Sequence, residues 1–334
     1  MLTRTGIKTV QTKDVTKKVI LSLVIIFILC CIMHPDRFAL SYYPYIKYSD
    51  IPNELEPSPH AIAVVKEGDN SLCLLTPNGL DTSLHHPNES VTEYDIKRLA
   101  QRLNIEEGGA WQPSECVSQH EVAIIVPFRN RSMQLWIFLS YMHPFLQKQM
   151  LNYRIFVIEQ TEGAFNRAKL FNVGYAEALK IFPYHCFIFH DVDLIPQKLS
   201  NMYACTHQPR HMSSSVNTFR YNLPYKELSG GAVAILQKQF ELVNGFSNMF
   251  YGWGGEDDDF HSRVINRGMT LCRFPPDIAR YTMLAHPKEL PNENRFMNLR
   301  SGRDRFATDG VNTLQYTIMK VVYYPLYTWI LVNL

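Results

Sequence analysis

Apolar positions along the chain form one long run and several short ones. The long run, Val19 to Met33, carries no charge and is closed by His34-Pro35-Asp36-Arg37. The short runs begin after Glu121. Val122-Ala-Ile-Ile-Val126 has the unbroken apolar character of a strand buried on both faces, and Pro127 closes it. Arg154-Ile-Phe-Val-Ile158 and Cys186-Phe-Ile-Phe189 read as two further strands. Between the first two runs a helix is predicted from about Met133 to Gln147, bent or ended by Pro144. Between the last two, a helix at 166–180 places Ala168, Phe171, Tyr175 and Ala178 on one face. Strand, helix, strand, helix, strand with short links predicts an α/β fold. Its sheet is mostly parallel and Rossmann-like, with ligands beyond the carboxyl ends of the strands. Three polar motifs fall at those ends: Pro127-Phe-Arg-Asn-Arg131, Phe165-Asn-Arg167 and Asp191-Val-Asp193. Residues 34–70, by contrast, are rich in Tyr, Pro and acids and keep no period. They are expected to form a stem, with the folded domain at 71–334.

The flanks of the long run give it a role. Residues 1–18 carry Arg4, Lys8, Lys13, Lys17 and Lys18 against one acid, Asp14. As a helix, Val19 to Met33 spans only about 22 Å, short of a ~30 Å hydrocarbon core, so a cleaved signal peptide is the rival reading. The basic segment is long, however, and no small-x-small cleavage site follows Cys31. The expectation is an uncleaved signal anchor at 19–33 with residues 1–18 cytoplasmic. A short span suits the thinner membranes of the early secretory pathway. Composition is that of a folded protein, 46% hydrophobic and 19% charged with a net charge of +2, and argues against a nucleic-acid partner. Beyond the anchor lie Cys73, Cys116, Cys186, Cys205 and Cys272. In an oxidising lumen four of these five can form two disulfides, and no CxxC spacing points to zinc. Asn88-Glu-Ser90 is a glycosylation sequon. Asn130-Arg-Ser132 fits the same pattern but falls in the expected ligand-binding loop.

Residues 251–259, Tyr-Gly-Trp-Gly-Gly-Glu-Asp-Asp-Asp, set one large ring among three glycines, directly before four carboxylates. Glycine lets a backbone bend or approach a ligand closely. The ring offers a sugar a flat apolar face, and the carboxylates can accept hydrogen bonds from hydroxyls or take a proton from one. The same acids suit a helix N-terminus, and Phe260-His-Ser-Arg-Val-Ile265 can continue that helix. If extended geometry continues past its strand, Asp191-Val-Asp193 projects two carboxylates to one side. Such oxygens suit a hard divalent cation that bridges to a diphosphate. Without context, Met283 reads as a core residue and His286 as a surface one. Arg129, Arg131 and Arg167 match phosphate oxygens bidentately, or else form surface salt bridges. Gly230-Gly231 before Ala-Val-Ala-Ile reads as a turn into a strand.

In this order, several motifs resemble those of the β-1,4-galactosyltransferase family (glycosyltransferase family 7), including its N-acetylgalactosaminyltransferase members. They are Pro127-Phe-Arg-Asn-Arg131, Phe165-Asn-Arg-Ala-Lys169, Asp191-Val-Asp-Leu-Ile-Pro196, Gly252-Trp-Gly-Gly-Glu-Asp-Asp-Asp259, Met283 with His286, and Tyr324-Pro-Leu-Tyr327. The resemblance runs from about Cys73 to the C-terminus. It implies a single-pass type II Golgi membrane protein with a GT-A fold and an inverting, Mn²⁺-dependent transfer. Carried over motif by motif, it implies Asp193, Met283 and His286 as metal ligands. Pro127, Phe128, Arg129, Asn130, Arg131, Phe165, Asn166, Arg167, Val192, Asp193 and Trp253 would line the UDP-sugar site. Tyr225, Gly255, Glu256, Asp257, Asp258 and Arg295 would hold an acceptor N-acetylglucosamine. The implied disulfides are Cys73–Cys116 and Cys186–Cys205. A single displacement needs a base for the acceptor hydroxyl and charge stabilisation for departing UDP. Motif position makes Asp257 that base.

One departure bears on the donor. Before the paired glycines, galactosyl-preferring members resemble Tyr-x-x-Tyr-x-Gly-Gly, whereas this chain has Tyr225-Lys-Glu-Leu228-Ser-Gly-Gly231. A Tyr hydroxyl near the donor's C2 substituent crowds an N-acetyl group, and a Leu lacks that polar tip. The family's invertebrate-type N-acetylgalactosaminyltransferases resemble this chain in carrying an aliphatic residue there. The expectation is UDP-GalNAc as donor and GalNAcβ1-4GlcNAc as product, with UDP-Gal as the alternative. Thr218 also departs, standing where vertebrate members often have Lys. A non-catalytic lectin or Golgi scaffold would lack the metal ligands or the base, and a metal-dependent hydrolase would consume UDP-sugar without acceptor.

Overall fold

The computed structural model describes residues 6–33, 44–67, 71–287 and 289–334. The chain divides into two units, Met1–Tyr43 and Pro44–Leu334. The first holds one helix, α1 (Gly6–Ile32). Its apolar stretch, Val15–Ile32, has mean hydropathy 2.5 and nothing covering it, so it is a candidate membrane span. This stretch begins earlier than the expected 19–33, since the helix runs back through Lys17 and Lys18. At ~1.5 Å per residue it reaches about 27 Å, close to the hydrocarbon thickness. Arg4, and residues 34–43 and 68–70 of the expected stem, lie outside the described residues.

The second unit begins at Pro44, well inside the expected stem, and this corrects that boundary. Ile51 and Leu55 are buried in the core, and the Ile46 N–H donates to the Arg273 carbonyl at 2.9 Å. Helix α2 (Pro59–Glu67) follows, with Ala61 buried. These apolar residues bury one at a time against the domain and therefore leave no period in the sequence. After α3 (Glu93–Arg102), capped reciprocally by Thr92 and Asp95, come β1 (Ala110–Trp111) and β2 (Glu121–Phe128). Then follow α4 (Ser132–Lys148), β3 (Asn152–Gln160), α5 (Arg167–Leu179), β4 (Cys186–His190) and β5 (Leu194–Pro196). Next are β6 (Arg210–His211), β7 (Ser215–Val216), β8 (Ala232–Leu236), α6 (Gln237–Leu242), α7 (Glu256–Asn266) and β9 (Arg280–Met283). The chain closes with α8 (Arg295–Arg300), β10 (Thr317–Tyr324) and β11 (Tyr327–Asn333).

The main sheet has eight strands in the order β10-β11-β3-β2-β4-β8-β6, with β1 beside β3. β11, β3, β2 and β4 run parallel, while β8 is antiparallel to β4 and β10 to β11. All eight residues of β2 are buried. Val122, Ile124 and Val126 face one hydrophobic cluster with Phe138, Leu139 and Met142 of α4. Ala123 and Ile125 face the other, with Leu170, Phe171 and Val173 of α5. This two-sided burial is why the strand carries no alternation. Helix α4 continues through Pro144 instead of ending there. Buried residues on both sides of the proline, Met142 and His143 before it and Phe145 and Leu146 after it, hold the axis in place. A small second sheet, β5-β9-β7, stands beyond β4. The disulfides are Cys73–Cys116 and Cys186–Cys205, the latter tying β4 to the loop after β5, and Cys272 is free.

Candidate active site

The carboxyl ends of β2 and β4, the turn after β3 and the start of α7 meet at one groove. Beyond β2, Asn130 takes a left-handed φ of 53° and turns the chain into α4. This aims Arg129 and Arg131 outward. Arg129 lies 5.0 Å over the Phe165 ring and donates to the Gly163 carbonyl at 2.7 Å. Arg131 donates to the Pro287 carbonyl at 2.9 Å and reaches Asp193 Oδ2 at 3.4 Å. The turn after β3 is closed by Gln160, whose amide bonds Glu162, Ala164 and Asn166. Asn166 is fully buried: it caps α5 through the Lys169 N–H and donates to the Asn248 carbonyl. Its side chain is thus committed to the turn, a cap worth about 1 kcal/mol. Val192 is likewise buried in the core, and Pro127 and Phe128 lie in β2. Of the expected donor-lining residues, these four serve as the wall beneath the groove, while Arg129, Arg131, Phe165 and Arg167 line it.

Asp191 and Asp193 part company. The strand ends at His190, and a turn closed by the Leu194 N–H on the Asp191 carbonyl replaces the extended geometry expected there. Asp191 Oδ1 takes Arg167 Nε at 2.5 Å, whereas Asp193 Oδ2 faces His286 Nε2 at 3.3 Å. Register brings Met283 to the same place: β5 pairs Leu194 with Met283, and the Leu284 N–H donates to the Asp193 carbonyl at 2.7 Å. Thr218 Oγ1 lies 3.7 Å from Met283 Sδ. His286 Nδ1 sits 2.8 Å from the Pro287 carbonyl, which can only accept, so Nδ1 carries a hydrogen and Nε2 is the ring nitrogen turned towards the carboxylate. Burial, then Asp191, pushes Asp193 up to about 6, against the opposing pull of His286 and Arg131. A carboxylate oxygen of Asp193 and the imidazole Nε2 of His286, converging in this way, suit a divalent cation, with the Met283 thioether as a third, softer donor. Among the described residues no cluster of three His, Cys, Asp or Glu could hold a metal.

The side expected to meet the acceptor is built at the start of α7. Gly255 holds φ 95° directly before Glu256, and a Cβ there would come within 2.9 Å of the Phe250 ring. The four acids then take different roles. Asp259 is fully buried against Arg263 Nε at 2.7 Å and belongs to the core. Glu256 Oε1 meets Arg167 Nη1 at 3.4 Å, and its buried Oε2 has no partner. Burial, then Asp257, raises Glu256 to about 7 against Arg167. Burial, then Asp258, raises Asp257 to about 6. Asp258 is raised by burial and accepts a hydrogen bond from Tyr225. Trp253 is 60% exposed, its backbone paired with Leu290 and Asn292, and Arg295 lies 5.5 Å over its ring. The turn 225–231 closes the groove opposite: Ser229 Oγ donates to the Asp257 carbonyl at 2.8 Å, and a Cβ on Gly230 would meet Asp257 Oδ2 at 3.0 Å.

Two features were not foreseen. Asp191 is the counter-ion that fixes Arg167, and Ser229 anchors the turn that bears Leu228. A separate cleft of about 880 Å³ lies between α3 and the far end of α4, with Asn88 among its lining residues. Chemistry, not volume, identifies the groove described above. Asn88 is exposed, and its Oδ1 accepts from the Ser90 N–H at 3.0 Å.

Comparison with known proteins agrees with this geometry. A profile for the N-terminal region of glycosyl transferase group 7 matches residues 77–206, and one for the N-terminal domain of galactosyltransferase matches 210–287. Human β-1,4-galactosyltransferase 1 is 46% identical over 245 residues, 72% of this chain and 62% of that relative. β-1,4-Galactosyltransferase 4 of Cricetulus griseus is 45% identical over 230 residues, 68% of this chain and 67% of that relative. Among solved structures, the catalytic domain of Drosophila β-1,4-galactosyltransferase 7 with xylobiose superposes with TM-score 0.55 and 28% identity, over 64% of this chain and 94% of that one. A variant of the same enzyme is in complex with manganese, UDP-Gal and xylobiose, with TM-score 0.54 and 27% identity over the same shares of the two chains. The mixed sheet flanked by helices is the GT-A fold of these enzymes.

Proposed function

Because the chain belongs to glycosyltransferase group 7, the β-1,4-galactosyltransferase family, we propose that it is an inverting glycosyltransferase. It moves GalNAc from UDP-GalNAc to the 4-hydroxyl of a terminal β-N-acetylglucosamine on glycoprotein or glycolipid glycans. The observation that carries this reading is Asp257: a carboxyl pushed up to about 6, beside the turn that bears Leu228. A base with a pKa near working pH is effective without being permanently neutral. As the acceptor O4 bonds to the donor's anomeric carbon and the bond to UDP breaks, the O4 proton passes to Asp257. Arg129 and Arg131 meet the charge that grows on UDP. Mn²⁺, which Asp193, Met283 and His286 would hold, supplies Lewis-acid neutralisation of the diphosphate when bound. On the acceptor, the unpartnered Glu256 Oε2 and Asp258 take hydroxyls, and Trp253 with Arg295 gives the ring a face.

Leu228 supports GalNAc, because it places no hydroxyl where the donor's N-acetyl group must fit. UDP-Gal is the second reading, favoured by the relatives named β-1,4-galactosyltransferase. Comparing the two donors on purified protein separates them: preference for UDP-GalNAc, shifting towards UDP-Gal in Leu228→Tyr, is expected. A strong wild-type preference for UDP-Gal overturns the donor assignment. A folded Asp257→Asn variant with near-wild-type turnover overturns the mechanism. The span Val15–Ile32, with basic residues before it, supports a type II orientation in the Golgi membrane with the catalytic unit lumenal. Proteolytic protection of the catalytic unit in sealed vesicles tests that orientation.

A further inference from the structure

One buried side chain outside the groove holds the turn that carries Leu228. Arg273 is 3% exposed and donates from Nη2 to the Lys226 carbonyl at 2.8 Å and the Leu228 carbonyl at 3.0 Å. Its Nε reaches His211 Nδ1 at 3.2 Å. A guanidinium only donates, so Nδ1 is bare and the ring's hydrogen is on Nε2, which lies 2.9 Å from the Gly230 carbonyl. His211 is fully buried, and burial followed by the nearby Arg273 pushes it far below its ordinary pKa, so the ring is neutral. The donations run from Arg273 to His211 and from His211 to Gly230. One guanidinium therefore grips the turn directly at two carbonyls and, through the ring, at a third.

The opposite side of the turn rests on the proposed base. Ser229 Oγ holds the Asp257 carbonyl at 2.8 Å, and the position of a Cβ on Gly230 is 3.0 Å from Asp257 Oδ2 and 3.8 Å from Leu228 Cδ1. The place of Leu228 relative to Asp257 is thus set by a short turn clamped between Arg273 behind and the start of α7 in front.

We propose that Arg273 is a positioning residue for donor selection, fixing how closely Leu228 meets the substituent at the donor sugar's C2 position, with His211 carrying its hold to Gly230. The inference rests on the reading of Leu228 given under the proposed function. Lysine cannot replace the arginine. Its ammonium is a point donor on a flexible stem, whereas the planar fork reaches two carbonyls and a ring nitrogen at once. Shifts of about an ångström in such a supporting contact are enough to loosen a site.

The test uses full-length, detergent-solubilised protein as wild type, Arg273→Lys, Leu228→Tyr and the double variant. Binding of UDP, UDP-GalNAc and UDP-Gal in Mn²⁺ is measured by calorimetry, and kcat and KM are measured for both sugars. The discrimination between the two sugars, whichever is preferred, is expected to fall about tenfold in Arg273→Lys, mostly through KM, with UDP affinity unchanged. Leu228→Tyr is expected to alter discrimination in the wild type and much less in the Arg273→Lys background. His211→Phe, which keeps the ring and removes both nitrogens, should lose discrimination similarly and replaces Arg273→Lys if that variant does not fold. Unchanged discrimination in a folded variant, or effects that simply add in the double variant, overturns the inference. A fall in UDP affinity equal to that for the sugars also overturns it, because that is general damage. A wild type preferring UDP-Gal overturns the donor reading alone, since the loss of discrimination in Arg273→Lys is still measured.

Discussion

Arg167 Nε donates to Asp191 Oδ1 across 2.5 Å, and this pair joins the two halves of the groove. Asp191 directly follows strand β4, while the other arm of the same guanidinium meets Glu256 Oε1 at the head of α7. Burial opposes the charge on Arg167, but Asp191 and then Glu256 outweigh it and hold the guanidinium ionised. Its field in turn restrains the pKa of Glu256 and Asp257, both of which it lowers.

Removing that field has a readable effect. In Arg167→Gln, Asp257 is expected to titrate at higher pH than in the wild type, and kcat/KM at pH 7 to fall about 10²-fold or more as Glu256 loses its counter-charge. A kcat/KM profile that keeps its acid limb in place would break the link between Arg167 and the base.

The acid limb itself is predicted near pH 6, where Asp257 loses its proton in the free enzyme. Asp258 is the neighbouring charge that most raises it, so Asp258→Asn is expected to move the limb to lower pH even where activity drops. Stability should run the opposite way. The folded pKa values of Glu256 and Asp257, about 7 and about 6, lie above their ordinary values of 4.5 and 3.8. The folded state therefore binds more protons in that window. The contribution is complete below about pH 4 and is lost as pH rises through 6 to 7. Thermal unfolding from pH 4 to 8 should show this fall, and Glu256→Gln should flatten it.

At the proposed metal site, Arg131 Nη1 and His286 Nε2 converge on the same oxygen of Asp193. His286→Ala is expected to weaken Mn²⁺ binding about 10–100-fold, and chelation to abolish transfer until Mn²⁺ is restored. Mn²⁺ electron paramagnetic resonance titration reads the affinity directly. Equal affinity in the variant would remove His286 from the ligand set.

The elements legible in the sequence are those whose burial leaves a pattern. β2, β3 and β4 show as unbroken apolar runs because both faces are covered, and α5 shows a repeating apolar face. Arg129, Arg131, Arg167 and Asp193 sit at the ends of these elements, so placing the strands also placed them, whereas only the family resemblance singles out Asp257 and His286. The antiparallel direction of β8 was hidden, since Ala-Val-Ala-Ile-Leu is equally apolar in either direction. Residues 44–67 read as a stem because Ile51, Leu55 and Ala61 bury singly rather than at a period. Arg273 was invisible for a different reason: its partner carbonyl at Leu228 is 45 residues away, and only the fold brings them together.

The acidic run offers a last separation between stability and chemistry. Asp259 and Arg263 are each 1% exposed and bonded at 2.7 Å, and Asp309 lies 3.5 Å from the same guanidinium. Replacing Asp259 with Asn removes one partner of a buried pair, which costs about 3–5 kcal/mol because the arginine keeps its charge. For a domain of this size that corresponds to a Tm lower by roughly 6–20 °C. Asp257→Asn, two residues earlier, removes a carboxylate whose ionisation the folded state already disfavours, so its Tm at pH 7.5 is expected to match or exceed the wild type while transfer is lost. Differential scanning calorimetry on both variants decides the matter. If Asp259→Asn melts with the wild type, the pair is not structural. If Asp257→Asn melts as early as Asp259→Asn, its loss of activity says nothing about a base.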